Sequence, residues 1–443
     1  MSLLAPDPTG LKLGPFWFVP GLTRGNVATV LVAAFCTMAV NTFMSFTQPY
    51  VLTEILNVPQ ARQGVLTGNL ASIQEVIVIA AMGFFGAWSD RVGRRLVFVV
   101  GLLLFAFGYF IYPLASSETQ LMIFRAIFAL GSASAPILFS ITVQDSCQEL
   151  SRGKWVALNS IATGMGVLFM ALVLAKTPVW FTNLGADPVM AGRFAFWSTS
   201  GICVLAAVFI WFGMRNWVVP RFPQPNIFRQ VGDGFRSGLK NPRLAVAFGA
   251  AFVGRGDLVV ISTFLSLWVV QFSTDQGIST GQGLARAGML FGIVQGTALL
   301  WAAVMGAMSD RFDRLTALCV SLVLATAGYC GIGLIEDPLA RSMIPAAMLL
   351  GVGEISVLIA AGALLGQEAQ KEKRGAVVGV FGLLGGTGIL FAVFFGGIVF
   401  DAIGRTAPFV MMGILNFLLL ATALVVRLRG YQPGGERKAP AKG

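Results

Sequence analysis

The sequence predicts an all-α, multi-pass membrane protein with twelve transmembrane helices in two six-helix halves. Three observations predict it. A dozen apolar runs reach about 20 residues, the length that crosses a bilayer as a helix. Charged residues make up only 12% of the chain, against about a quarter in soluble domains. Segments of the first half recur in the second at an offset of 220 residues.

Taken in order, the apolar runs between polar breaks lie at 27–50, 64–87, 96–115, 120–144, 155–176 and 194–214. A polar, basic stretch from Arg215 to Arg243 follows. The second set lies at 244–271, 286–308, 315–335, 342–366, 375–400 and 407–427. The expected organisation is an N-terminal segment 1–25, a first bundle 26–214, a linker 215–243, a second bundle 244–427 and a tail 428–443. The first 25 residues are polar, with no cationic stretch leading into an apolar core. They do not read as a cleaved signal peptide, so the first helix is expected to stay as an anchor.

The formal charge of +11 would suit a nucleic-acid partner, but its placement argues for a membrane. If both termini are cytoplasmic, the inward segments carry most of the lysines and arginines. The outward loops then hold only Arg62, Lys176, Arg193, Arg286, Arg341 and Arg405. That asymmetry is the positive-inside rule, and the excess faces anionic lipid. Cys36, Cys147, Cys203, Cys319 and Cys330 are scattered and histidine is absent. A zinc site or disulfide framework is therefore not expected, and proton chemistry must use carboxylates. Nothing resembles a phosphate-binding loop or a nucleophile elbow. The chain does not read as an enzyme, and no cofactor or metal is expected.

Between the second and third runs lies a dense charged knot, Gly86-Ala-Trp-Ser-Asp90-Arg91-Val-Gly93-Arg94-Arg95. A weaker copy, Gly306-Ala-Met-Ser-Asp310-Arg311-Phe-Asp313-Arg314, follows at the 220-residue offset, with Asp313 where the first copy has Gly93. Small residues on the approach are expected to let helices and turn come close. At a nearby offset of 222, Arg152-Gly153 with Gly164, Gly166 and Phe169 matches Arg374-Gly375 with Gly386, Gly388 and Phe391.

The pattern G-x-x-x-D-R-x-G-R-R resembles the loop between the second and third helices of the major facilitator superfamily. The resemblance covers essentially the whole chain. It implies two six-helix bundles related by a pseudo-twofold axis along the membrane normal. It also implies that the first, fourth, seventh and tenth helices line a central cavity. In that family the knot latches the bundles, with an arginine on a nearby carboxylate; Asp145 is the nearest candidate. The latch residues are thus Gly86, Asp90, Arg91, Gly93, Arg94, Arg95 and Asp145, with Asp310 and Arg311 in the second copy. Asp313 makes that second copy structural.

Ionisable residues inside the bilayer mark interior faces or aqueous paths. Glu75 lies midway along the second helix on a face of small residues. It either takes up and releases a proton, because burial penalises its charged form, or fixes helix contacts. Arg255 and Asp257 in the seventh helix are two residues apart and point to different sides, so each needs another partner. On the family arrangement Arg255 and Glu354, of the tenth helix, would meet as an ion pair, for coupling or as a static bridge. Arg125 opens Arg125-Ala-Ile-Phe-Ala129-Leu-Gly131, which resembles the fourth-helix motif R-x-x-x-G-x-G with Ala129 for the first glycine. The resemblance ties that arginine to coupling; the alternative is a snorkelling or capping role. The candidates for proton coupling are therefore Glu75, Asp257, Glu354, Arg125 and Arg255. The candidates for the substrate cavity are Asn41, Gln48, Arg125, Arg255, Trp268, Gln295 and Glu354, with Tyr50 and Gln271 beside them; each could equally serve helix-to-helix bonding.

The sequence lacks the fifth-helix proline motif of drug antiporters, the P-E-S-P-R of sugar porters and the first-helix E-x-x-E-R of peptide symporters. The resulting expectation is a proton-coupled secondary carrier of a small organic solute, with an organic anion favoured by the two in-membrane arginines. An uncoupled facilitator and a drug or metabolite efflux antiporter stay open. The expected setting is a bacterial inner membrane, as a monomer with both termini cytoplasmic and lipids as its surroundings.

Overall fold

The computed structural model describes residues 7–216, 227–370 and 373–434. The rest of the expected N-terminal segment, linker and tail, with Lys371, lies outside the described residues. A short antiparallel hairpin comes first, β1 (Gly10–Leu13) and β2 (Phe16–Pro20), with Lys12 opposite Trp17 and Leu13 opposite Phe16. Helices follow: α1 (Arg24–Tyr50), continued by a wider turn to Ile55, then α2 (Gln60–Val92), α3 (Arg94–Ile111), α4 (Glu118–Asp145), α5 (Arg152–Leu172), α6 (Thr177–Asn183) and α7 (Pro188–Gly213). The second series is α8 (Ile227–Lys240), α9 (Pro242–Asp275), α10 (Thr280–Arg311), α11 (Arg314–Ile332), α12 (Met343–Glu368), α13 (Arg374–Ala402) and α14 (Ala407–Leu428).

Among the described residues, 12 helical stretches are long and apolar enough to cross a membrane. Each coincides with one predicted run. The helices are apolar on nearly all sides, as a lipid-facing helix must be. Large apolar side chains such as Leu205, Phe212 and Leu300 are exposed, as expected of helices that meet lipid.

The chain forms two compact units. The first comprises Met1–Pro59, Ile73–Arg221 and Gly277–Gly288; the second comprises Gln60–Ser72, Phe222–Gln276 and Met289–Gly443. Both use the same packing scheme. In the first, α3 packs on α4 and α7, and α1 on α5; in the second, α11 packs on α12 and α14, and α9 on α13. The sequence repeat explains one of these pairings directly. A Cβ at Gly166 would run into the Phe35 carbonyl of α1, and one at Gly388 into the Phe252 carbonyl of α9. Glycine lets the backbones of α1 and α5, and of α9 and α13, approach that closely.

The hairpin, the short α6 and α8 were not foreseen. The hairpin seats Phe18, fully buried, edge-on against Trp155 of α5 with ring centroids 4.9 Å apart. Its strand β2 bonds to the loop after α4: Val19 N donates to Ser146 O at 3.2 Å, and Gln148 N to Trp17 O at 2.9 Å. Helix α8 lies within the stretch expected to be a linker.

Candidate functional site

In the first unit the polar residues of α1 and α4 meet around Arg125. Its side chain is fully buried. Nη2 donates to Ser45 Oγ at 2.8 Å, and the guanidinium lies 5.7 Å from the Phe128 ring centre and 6.0 Å from that of Tyr112. Tyr112 OH in turn donates to Gln48 Oε1 at 3.4 Å. Nε and Nη1 of Arg125 make no hydrogen bond, and no carboxylate pairs with it among the described residues. Two turns further along α4, Ser132 Oγ donates to Asn41 Oδ1 at 2.5 Å and accepts from Gln74 Nε2 at 3.2 Å. On α2, Gln74 touches this α1–α4 face. Sequence reasoning singled out its neighbour Glu75, which is partly buried and points about 100° away around the helix. Tyr50 is placed elsewhere, donating to Pro188 O at 2.7 Å.

The second unit buries two carboxylates. Asp257 is fully enclosed and both its oxygens accept from Asn416 Nδ2 of α14, at 3.1 and 3.0 Å. Glu354, 3% exposed, accepts from Gln295 Nε2 at 3.4 Å. The anticipated Arg255–Glu354 pair is not formed. Asp257 is enclosed, whereas Arg255, two residues earlier on α9, is exposed and lies with its Cγ 2.9 Å from where a Cβ on Gly385 of α13 would stand. Trp268 packs in the core against Phe409, ring centres 6.1 Å apart. Gln271 belongs to a polar end-cluster: its Nε2 donates to Gln60 O and Gln63 Oε1, and its Oε1 accepts from Arg405 Nε at 3.0 Å.

The charged knot closes on itself within the first unit. Arg94 Nη1 contacts Asp90 at 2.6 Å and Arg94 Nε contacts Asp145 at 3.2 Å, so Asp145 is the carboxylate that the knot engages. Arg95 stacks over Trp211, 4.7 Å from its ring centre, while Arg91 is exposed. The close approach expected at Gly86 and Gly306 is absent, since a Cβ at either would meet nothing within 4 Å. The demanding position is Gly93, with φ of 99° and Asn216 where a Cβ would stand. In the second copy Asp310 and Arg311 are exposed. Asp313 has two tasks there. It caps α11, accepting from Thr316 N at 3.1 Å, and it pairs with Arg243 at 2.8 Å. Partial burial opposes ionisation of Asp313, but the Arg243 hydrogen bond and charge prevail and hold its carboxyl below the usual aspartate value.

Two polar networks in the second unit escaped the sequence reading. Arg243 bridges Asp313 and the enclosed Glu368, the latter at 2.7 Å. Glu368 also accepts from Asn241 Nδ2 and Gly434 N. Where α2 begins and α13 ends, Asp401 accepts from the backbone N–H of Gly64 at 2.9 Å and Val65 at 2.7 Å, and Arg405 pairs with Asp275 at 2.6 Å. A count of apolar runs shows neither, because the partners are far apart in sequence. Among the described residues no cluster of three or more His, Cys, Asp or Glu side chains is placed to hold a metal ion.

Among the described residues, twelve helical stretches long and apolar enough to span a membrane, in two compact units of one packing scheme with buried ionisable groups facing polar partners inside each, are the build of a multi-pass membrane carrier. Comparison with known proteins gives the family. The model of the Major Facilitator Superfamily matches residues 30–339 and 282–443, and the chain belongs to that superfamily. It is thus an integral multi-pass secondary transporter of small solutes, not an enzyme. Over 426 residues it is 27% identical to magnetosome protein MamH of Paramagnetospirillum magneticum, covering 94% of this chain and 96% of that one. It is 26% identical to magnetosome protein MamZ of the same organism over 415 residues, 90% of this chain but 62% of MamZ. Among solved structures, that of nucleoside transporter NupG has the same fold, with a TM-score of 0.71 at 12% identity over 91% of this chain and 99% of that one.

Proposed function

We propose that the protein carries a small organic anion, with transport coupled to protons. Arg125 carries this reading. A fully buried guanidinium held by one serine and two aromatic faces, with two donors unused, is a poor structural element, because an unpaired buried charge is costly. The arrangement suits a carboxylate or similar anion, which guanidinium donors bind in a fork. Coupling would rest on Glu354, buried beside an amide with no cation bonded to it among the described residues, a setting in which an unpaired charge is costly. Asp257, gripped on both oxygens by Asn416, suits a positioning role better. Alternating access by rocking of the two bundles is what the family resemblance implies. The lysine and arginine bias supports cytoplasmic termini in a bacterial inner membrane.

The test is a thermal-shift screen of purified protein against small organic anions and cations. A ligand at a hundred times its Kd stabilises by about 2.7 kcal/mol. Anions are expected to raise the unfolding temperature of the wild type and of Arg125→Lys in part, but not of Arg125→Gln. Stabilisation by cations alone, or anion shifts unchanged in Arg125→Gln, would contradict the assignment.

A further inference from the structure

The stretch IFRQVGDGFRSGLK folds as helix α8 and joins the span α9 through one residue, Asn241. That elbow has no slack. Asn241 Oδ1 accepts from Arg243 N at 3.0 Å and Leu244 N at 3.3 Å, while its Nδ2 donates to the enclosed Glu368 at 2.8 Å. Helix α8 is thereby pinned at the N-terminal end of a transmembrane helix.

One side of α8 is committed to its own unit. Gly234 lies against the Ala376 carbonyl and Val380, Gly238 against Phe248, and Val231 joins the same apolar cluster. Turning away from that side by about 100° per residue, the next surface is an apolar shoulder of Phe235 and Leu239. These are 40% and 87% exposed. Beyond the shoulder comes an edge that also carries the half-buried Asp233, with two cations, Arg236 and Lys240, both exposed. Neither has a carboxylate partner among the described residues.

We infer that this face of α8 docks on anionic lipid of the leaflet at which it lies. The shoulder enters the boundary of the acyl chains and the basic edge holds phosphate headgroups. The order bundle, apolar shoulder, basic edge is that of a helix lying in the interface plane. Charge complementarity selects anionic over neutral lipid, each cation near such a surface adding to the attraction. The inference rests on the chain spanning a membrane and is independent of the solute carried.

The test uses the full chain in nanodiscs of phosphatidylcholine containing one-fifth phosphatidylglycerol. A photo-reactive benzoylphenylalanine replaces Leu239, and adducts are read by intact mass spectrometry. Lipid adducts are expected, with phosphatidylglycerol enriched several-fold over its share of the bilayer. Adding R236Q and K240Q should return the adducts to the bulk ratio while the unfolding temperature is unchanged. Absence of lipid adducts at position 239, adducts to protein instead, or bulk-ratio adducts in the chain that retains both cations would each overturn the inference.

Discussion

At the scale of single residues, the charges that matter divide by whether a counter-charge accompanies them. Glu368 is enclosed and answers Arg243, Asn241 and the Gly434 amide. Removing one member of such a buried pair strands the other, at a cost of about 3–5 kcal/mol. Glu368→Gln should therefore lower thermal stability in detergent sharply, whereas Arg91→Gln, at an exposed site, should not. Asp313 gives a pH signature. Its folded-state pKa is lowered from 3.8, so its contribution is complete above that value and fades as pH falls through the lower folded value. The stability gap between wild type and Asp313→Asn, followed by thermal unfolding, should be flat from neutrality to about pH 5 and shrink only below about pH 4. Arg125, Asp257 and Glu354 were legible as candidates because ionisable groups stand out in apolar runs. Their partners were not. Glu354 meets Gln295 rather than Arg255, and Arg255, two residues from the enclosed Asp257, is exposed.

At the scale of elements, hydropathy identified every span, since bilayer crossing needs long apolar runs and little else. Shorter elements were hidden. In β2 the run Phe16-Trp-Phe-Val-Pro20 is too short to separate a strand from a loop, and only its docking on Trp155 gives it a place. Helix α8 is interrupted by three glycines and reads as a linker until its apolar side is matched with Phe248 and Val380. The knot between α2 and α3 gave its charges away but not its hinge. Gly93 sits at φ 99° and ψ 149°, a region all but closed to other residues and costing about 1–3 kcal/mol. Gly93→Ala should lose at least that much stability, with the Asn216 collision added. Gly86→Ala, within α2 where an added Cβ meets nothing within 4 Å among the described residues, should be neutral or slightly stabilising because alanine favours helix. Equal losses in the two variants, by chemical or thermal unfolding, would contradict this division of the motif.

At the scale of the whole molecule, the repeated sequence becomes a repeated packing scheme whose two copies have diverged in chemistry. The first unit holds an isolated buried cation, Arg125, and the second holds buried acids, Asp257 and Glu354. A carrier built this way has a place for an anion in one half and for a proton in the other, and that division is the central proposal for its function. The 220-residue offset made the repetition visible in the sequence. The divergence was not visible, because which acid lies beside an amide and which arginine lacks a carboxylate depend on contacts between helices. The most direct measurement is solute flux with simultaneous internal pH recording in liposomes, for wild type and Glu354→Gln, using an anion that stabilises the protein. The wild type should move protons with the anion and lose accumulation with a protonophore. Glu354→Gln should still exchange anion but move no protons. Wild-type flux indifferent to the protonophore, or proton movement undiminished in Glu354→Gln, would contradict the account.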